Sequence, residues 1–192
     1  MMVIVMNKPA FFDTDYLSSF LRINRTDLIL DKYDKIRISS QVKKEICNKG
    51  NYPNIKERFI SLYENDNIEV YKIEEGTPEW DTYLELRLLS PNIKKDIGEM
   101  SVISLAKARN GILASNNLTD VCKYVNDYNL DHITTATTLV ELCDEKSITC
   151  IEARSYWRTM DQFNIKLPKT SFDNFYKTHS SPCVDFETNK YA

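Results

Sequence analysis

FFDTDYLSSFL, residues 11–21, decides how the rest of the chain is read. Two phenylalanines close a short apolar run, and a carboxylate, Asp13, follows at once. Tyr16, Leu17, Phe20 and Leu21 then recur at helical spacing. The stretch reads as a buried strand over residues 10–14 passing directly into a helix.

The alternation continues outward. Thr26 caps a helix to Tyr33. Residues 35–39 (KIRIS) alternate polar and apolar, as a strand does, and Ser40 caps a helix over 41–48 with Gly50 beyond its end. Pro53 opens a helix to Glu64, and residues 68–73 (IEVYKI) form another strand. Thr77-Pro78-Glu79 starts a helix that stops before Pro91. An amphipathic helix over 97–109 ends at Asn110-Gly111. A strand over 112–115, a helix over 118–126, a strand over 131–134 and helices over 138–145 and 149–163 complete the pattern. The tail from Pro168 is polar, mixed and partly extended. Strands alternating with helices imply an α/β fold, a parallel sheet covered on both faces, with the functional crevice past the carboxyl ends of the strands.

The 192 residues, 42% of them hydrophobic, suffice for one domain with a core. No apolar run approaches the roughly 20 residues of a membrane-spanning helix, and the apolar residues 2–6 lack the features of a signal peptide. The five cysteines include no C-x-x-C, and His132 and His179 are not spaced as a zinc pair. Neither a disulfide framework nor a structural zinc is expected, and a reducing cytoplasm fits. The formal net charge of −3 announces no nucleic-acid binder, so such a role rests on local charge.

Four acids stand where the pattern does not need them. Asp13 ends the first strand and is either a helix cap or a site residue; Asp15 could cap instead. Glu45 lies beside the apolar stripe of Val42 and Ile46. Glu99 shares a helical face with Val102, Ile103 and Ala106; the helix dipole rewards a first-turn acid by only ~0.3–1 kcal/mol, less than burial of an unpaired carboxylate costs. Asp120 falls in the first turn of a helix that Asn117 or Thr119 could cap. Asn116 and Asn117 could offer amide oxygens, and Thr14 and Ser115 hydroxyls. Acids converging at one sheet edge either rise in pKa or are neutralised by a cation, and hard oxygen donors select Mg²⁺ or Mn²⁺ over zinc. Lys43, Lys44, Arg22, Arg25, Lys94 and Lys95 are candidates for a basic rim that meets phosphate, and Tyr16 serves either the core or a base stack.

These stretches carry a family likeness. FFDTDYLSSFL resembles the start of a PIN domain. ISSQVKKEI (38–46) resembles its second motif, with the acid at Glu45. GEMSVISLAKARNGILASNNLTDV (98–121) resembles the third and fourth motifs. The likeness covers roughly residues 10–165 and implies a nuclease domain over 1–165, with 166–192 as a tail packing on or extending from it. It implies a three-layer fold with strand order 3-2-1-4-5, and a Mg²⁺- or Mn²⁺-dependent endoribonuclease whose core acids match Asp13, Glu45 and Glu99. Many such proteins resemble VapC-like toxins of type II toxin–antitoxin pairs, which implies a small antitoxin partner and a homodimer. Where the family has a Thr-Asn-Asp-like turn, this chain has Ser115-Asn116-Asn117, and the nearest acid is Asp120. That departure keeps open a catalytically weak or inactive module binding RNA or protein. Asp13-Thr14-Asp15 also resembles the opening of haloacid-dehalogenase-type phosphatases, with Ser39 and Ser40 mimicking their next motif, but that reading leaves Glu45 and Glu99 without a role.

Overall fold

The computed structural model describes residues 8–48, 53–89, 97–179 and 182–183. In chain order it contains β1 (Ala10–Phe12), α1 (Thr14–Ile23), α2 (Asp27–Tyr33), β2 (Ile36–Ser39), α3 (Ser40–Asn48), α4 (Pro53–Glu64), β3 (Ile68–Tyr71), α5 (Trp80–Leu89), α6 (Ile97–Ala108), β4 (Ile112–Ala114), α7 (Leu118–Tyr128), β5 (Asp131–Ile133), α8 (Thr135–Asp144), α9 (Cys150–Gln162) and α10 (Phe172–Thr178). The five strands form one sheet in the order β3-β2-β1-β4-β5, and every pairing is parallel. This is the expected order.

β1 is central, and its side chains explain why. Successive residues of a strand point to opposite faces, yet Ala10, Phe11 and Phe12 are all 0% exposed, so both faces are covered. Phe11 meets Tyr71 edge-on, while Phe12 packs against Tyr16 and Tyr33. α6 lies across β1, β2 and β4, and α1 packs on α3, α4 and α9. The chain builds β1, β2 and β3 outward in one direction, then returns to the other side of β1 for β4 and β5. The strand order therefore reverses between β1 and β4, and their carboxyl ends flank the crevice that such a reversal opens.

Helix starts differ from the sequence expectation in detail. Ser39, not Ser40, supplies the oxygen that accepts from Val42 N, at 3.1 Å. Thr26 makes no side-chain cap bond. α8 starts at Thr135, where Thr134 and Thr137 form a reciprocal capping box. Such a cap needs no apolar signal, which is why periodicity alone starts that helix too late.

The polar tail is not simply extended. α10 forms within it, and Phe172 and Phe175 pack on Trp157 of α9. Arg154 bonds Asp173 at 2.7 Å. This fold-back brings Cys183 to α7, where it forms a disulfide with Cys122 across a separation of 61 residues. The bridge corrects the expectation of no disulfide: neither cysteine carries a local motif, and only the docking of the tail brings them together. Cys47, Cys143 and Cys150 are free thiols. Among the described residues no helix is long and apolar enough to cross a membrane.

Candidate active site

The hydrogen-bond ladder of the sheet runs one residue past the strands. Asp13 N donates to Ala114 O at 2.9 Å, and Ser115 N donates to Ile133 O at 3.1 Å. These bonds fix Asp13 and Ser115 side by side at the crevice. Ser115 Oγ donates to Asp13 Oδ2 at 3.1 Å. Asp13 Oδ1 accepts from Thr14 N at 2.6 Å, so Asp13 is itself the cap of α1 and Asp15 is not. One carboxylate serves as cap and as site residue together.

Glu45 reaches the same place from α3. Thr14 Oγ1 donates to its carboxylate. The opposite side of that carboxylate lies against the backbone of Gly98, where an added Cβ would come within 2.8 Å of Glu45 Oε2 and overlap the group. Gly98 therefore leaves space that any other residue would fill. The overlap with Glu45 marks Gly98 as a site feature that the acid pattern alone did not single out. Ser101 ties this end of α6 to β2 through a 2.6 Å bond with Ser39.

The electrostatics follow from burial. Asp13 is only 7% exposed, and its pKa is pushed up to about 7. Burial is the main cause, aided by the nearby Asp15 and Glu45 charges and opposed by the bonds from Thr14 and Ser115. No lysine or arginine among the described residues forms an ion pair with Asp13 or Glu45.

The other candidates fall elsewhere. Glu99 stands next to Gly98 in the first turn of α6, but among the described residues no three acidic, histidine or cysteine side chains gather closely enough to hold an ion. Asp120 is exposed and accepts from Asn117 Nδ2 at 2.5 Å. It is linked to Asp13 only indirectly, since Asn117 N donates to Ser115 Oγ at 3.2 Å. Asn116 is buried and structural: its amide donates to Ser19 and Thr135 hydroxyls and accepts from Thr135 N. Its amide oxygen is thereby engaged in tying β4 to α8 rather than presented to a ligand.

Tyr16 is fully buried, bonded to Thr138 at 2.7 Å, and belongs to the core. Of the basic candidates, Lys43 sits over the Tyr63 ring, Arg25 pairs with Asp27 and Tyr156, and Arg22 donates to Phe163 O at 2.9 Å. Lys44 is exposed. Lys94 and Lys95 lie outside the described residues. His132, in β5, bonds the Ser115 carbonyl at 2.9 Å; burial lowers its pKa to about 4, so the ring is neutral at pH 7.

A family model described as a PIN domain matches residues 9–181. The chain belongs to the PIN-domain family. No curated protein matches it. PIN domains are usually nucleases, so this is a nuclease-type fold, and Asp13, Thr14 and Ser115 occupy the crevice where its strand order reverses. Membership also sets aside the phosphatase likeness of Asp13-Thr14-Asp15. Ser39, which mimicked the second phosphatase motif, is fully buried between Val42 N and Ser101.

Proposed function

We propose that this PIN-domain protein is a Mg²⁺- or Mn²⁺-dependent endoribonuclease with Asp13 at its centre. The observation that carries the reading is a buried carboxylate at the strand-order reversal, joined to a second carboxylate through Thr14 and balanced by no cationic side chain among the described residues. A fold tolerates such a group when something positive neutralises it. The donors are carboxylates and hydroxyls, hard oxygens that suit Mg²⁺ or Mn²⁺.

Asp13 and Glu45 would hold the ion; Glu99, in the first turn of α6, does not gather with them and would join only on ion binding. When bound, such an ion polarises a phosphodiester and makes an attacking water more acidic. The protein's own groups do the arranging. Ser115 holds Asp13 Oδ2, and Thr14 holds the Glu45 carboxylate. Asn117 and Asp120, paired at the rim, are suited to orient the attacking water rather than to bind the principal ion. Asp13 acts ionised, and ion binding lowers its raised pKa.

The same reading makes the protein a toxin of a type II pair, active as a homodimer and restrained by a small antitoxin. Family likeness supports this, and a neighbouring reading frame for a small DNA-binding protein would support it further. A second reading, a module that binds RNA or protein without cutting, is favoured by Asp120, which pairs with Asn117 rather than joining Asp13.

The test is cleavage of RNA with Mn²⁺, with EDTA, and by Asp13→Asn. The proposal expects cleavage only in the first case. Cleavage that survives EDTA or the substitution removes the metal mechanism. A folded protein that cuts no RNA favours the binding module.

A further inference from the structure

Beside the acid site lies a second feature that the acids do not explain. A cavity of about 120 Å³ is lined by Asp15, Ser18, Ser19 and Arg22 of α1, by Asn116, and by the 164–166 turn carrying Lys166. It touches the acid site twice: Asp15 stands in the first turn of α1, the helix that Asp13 caps, and Asn116 follows Ser115, which bonds Asp13. Small-molecule pockets usually span ~300–1,000 Å³, so this volume suits one compact polar group rather than a nucleobase.

The turn that supplies Lys166 is held firmly. α9 is capped by Phe163, Asn164 adopts a left-handed conformation with φ of 53°, and Ile165 N donates back to Met160 O at 3.0 Å. Arg22 Nη1 binds Phe163 O at 2.9 Å, which locks the turn to the end of α1. Lys166 Nζ then stands 3.7 Å from Asp15 Oδ2. Both side chains are about half exposed, 59% and 49%, so their pairing is weak and the ammonium can serve a further anion. Two cations and one acid leave the cavity with a positive balance beside a strongly acidic site.

We propose that this cavity is a phosphate subsite for the RNA backbone next to the cleaved bond, with Lys166 as its positioning residue. The inference rests on the ribonuclease reading. An acidic centre repels its polyanionic substrate, and a cation close to that centre offsets the repulsion where the backbone must pass. Lys166 also damps the Asp15 charge that burdens Asp13, so the test must separate these two effects.

The experiment uses the full chain and a fluorescent single-stranded RNA. Binding is measured by anisotropy in the Asp13→Asn background, where the titration of residue 13 no longer contributes, and kcat and KM are measured with Mn²⁺ in the otherwise native protein. Lys166→Ala should weaken binding by about five- to tenfold and lower the log–log salt slope by about one. It should raise KM by a similar factor with kcat nearly unchanged, and Lys166→Arg should restore both. Arg158→Ala, which removes an exposed charge on α9 outside this cavity, should do little. Unchanged affinity and salt slope in Lys166→Ala, with the native chain cutting RNA, overturns the subsite and leaves the nuclease reading intact. Binding that depends on Lys166 without cleavage supports the subsite and overturns the nuclease reading. A native chain that does not bind RNA overturns both.

Discussion

Thr14 Oγ1 donates a hydrogen bond to the carboxylate of Glu45, 31 positions further along the chain. The first residue of α1 thus sets the position of an acid on α3, and Asp13, just before it, caps the same helix. Sequence places these groups on separate elements; the shared hydroxyl makes them one unit. Thr14→Val keeps the β-branched shape and removes the donor. The expected result is a fall in kcat of about tenfold with stability changed by about 1 kcal/mol, the usual net worth of one hydrogen bond. Cleavage kinetics beside thermal unfolding check it.

Gly98 gives a sharper separation of site from fold. Gly98→Ala adds some helix propensity, less than the ~1 kcal/mol of a helix interior because residue 98 lies in the first turn of α6, and the group its Cβ meets is the movable end of Glu45. The variant should unfold at about the same temperature or slightly higher, yet lose activity and affinity for Mn²⁺. Calorimetric unfolding and an ion titration on one sample distinguish this from a general folding defect.

The raised pKa of Asp13 makes stability depend on pH in a defined direction. In the unfolded chain the group ionises near its ordinary value of 3.8, and in the folded chain near about 7. Between these values the folded state holds the extra proton, so stability falls as pH rises from about 4 to about 7 and then levels off. The full cost at pH 8 is on the order of 2–4 kcal/mol. Without divalent ions, Asp13→Asn should flatten this slope and raise the unfolding temperature at pH 8 while abolishing cleavage. Added Mg²⁺ should stabilise the native protein at pH 8 and leave the variant nearly unchanged.

Much of this was legible in the sequence because it was written locally. The strand–acid–helix run at 11–21 marked the first strand, alternation implied a parallel sheet, and the strand order came from the PIN-domain likeness. The pairing of Asp13 with Glu45 was foreseeable only as a convergence of elements. What was hidden is non-local. Asn116 looked like a ligand but spends its amide on Ser19 and Thr135, contacts that require α8 to be in place. Asp120 followed the motif order, yet its side chain turns to Asn117. Tyr16 could have stacked on a base, but the packing of Phe12 and Phe20 around it decides for the core. Lys166 carried no signal, because its position depends on a left-handed turn and on Arg22.

The Cys122–Cys183 bridge fastens the segment after α10 to α7. A cross-link closing a loop of this length stabilises a fold by roughly 2–4 kcal/mol. Thiol titration of the denatured, non-reduced protein should find three free cysteines, the number outside the bridge. Dithiothreitol should raise that count by two and lower the unfolding temperature. Cys183→Ser should lower it similarly and make it insensitive to the reductant.

The proposed site stands or falls on Asp13 and Glu45 holding one divalent ion, with Glu99 drawn to it from the first turn of α6 only on binding. Calorimetric titration with Mn²⁺ tests it most directly, on the native chain and on Asp13→Asn, Glu45→Gln and Glu99→Gln. The native chain should show one saturable site, with affinity reduced at least about tenfold in each variant. A native chain that binds no Mn²⁺, or three variants that bind it as tightly as the native chain, would contradict it.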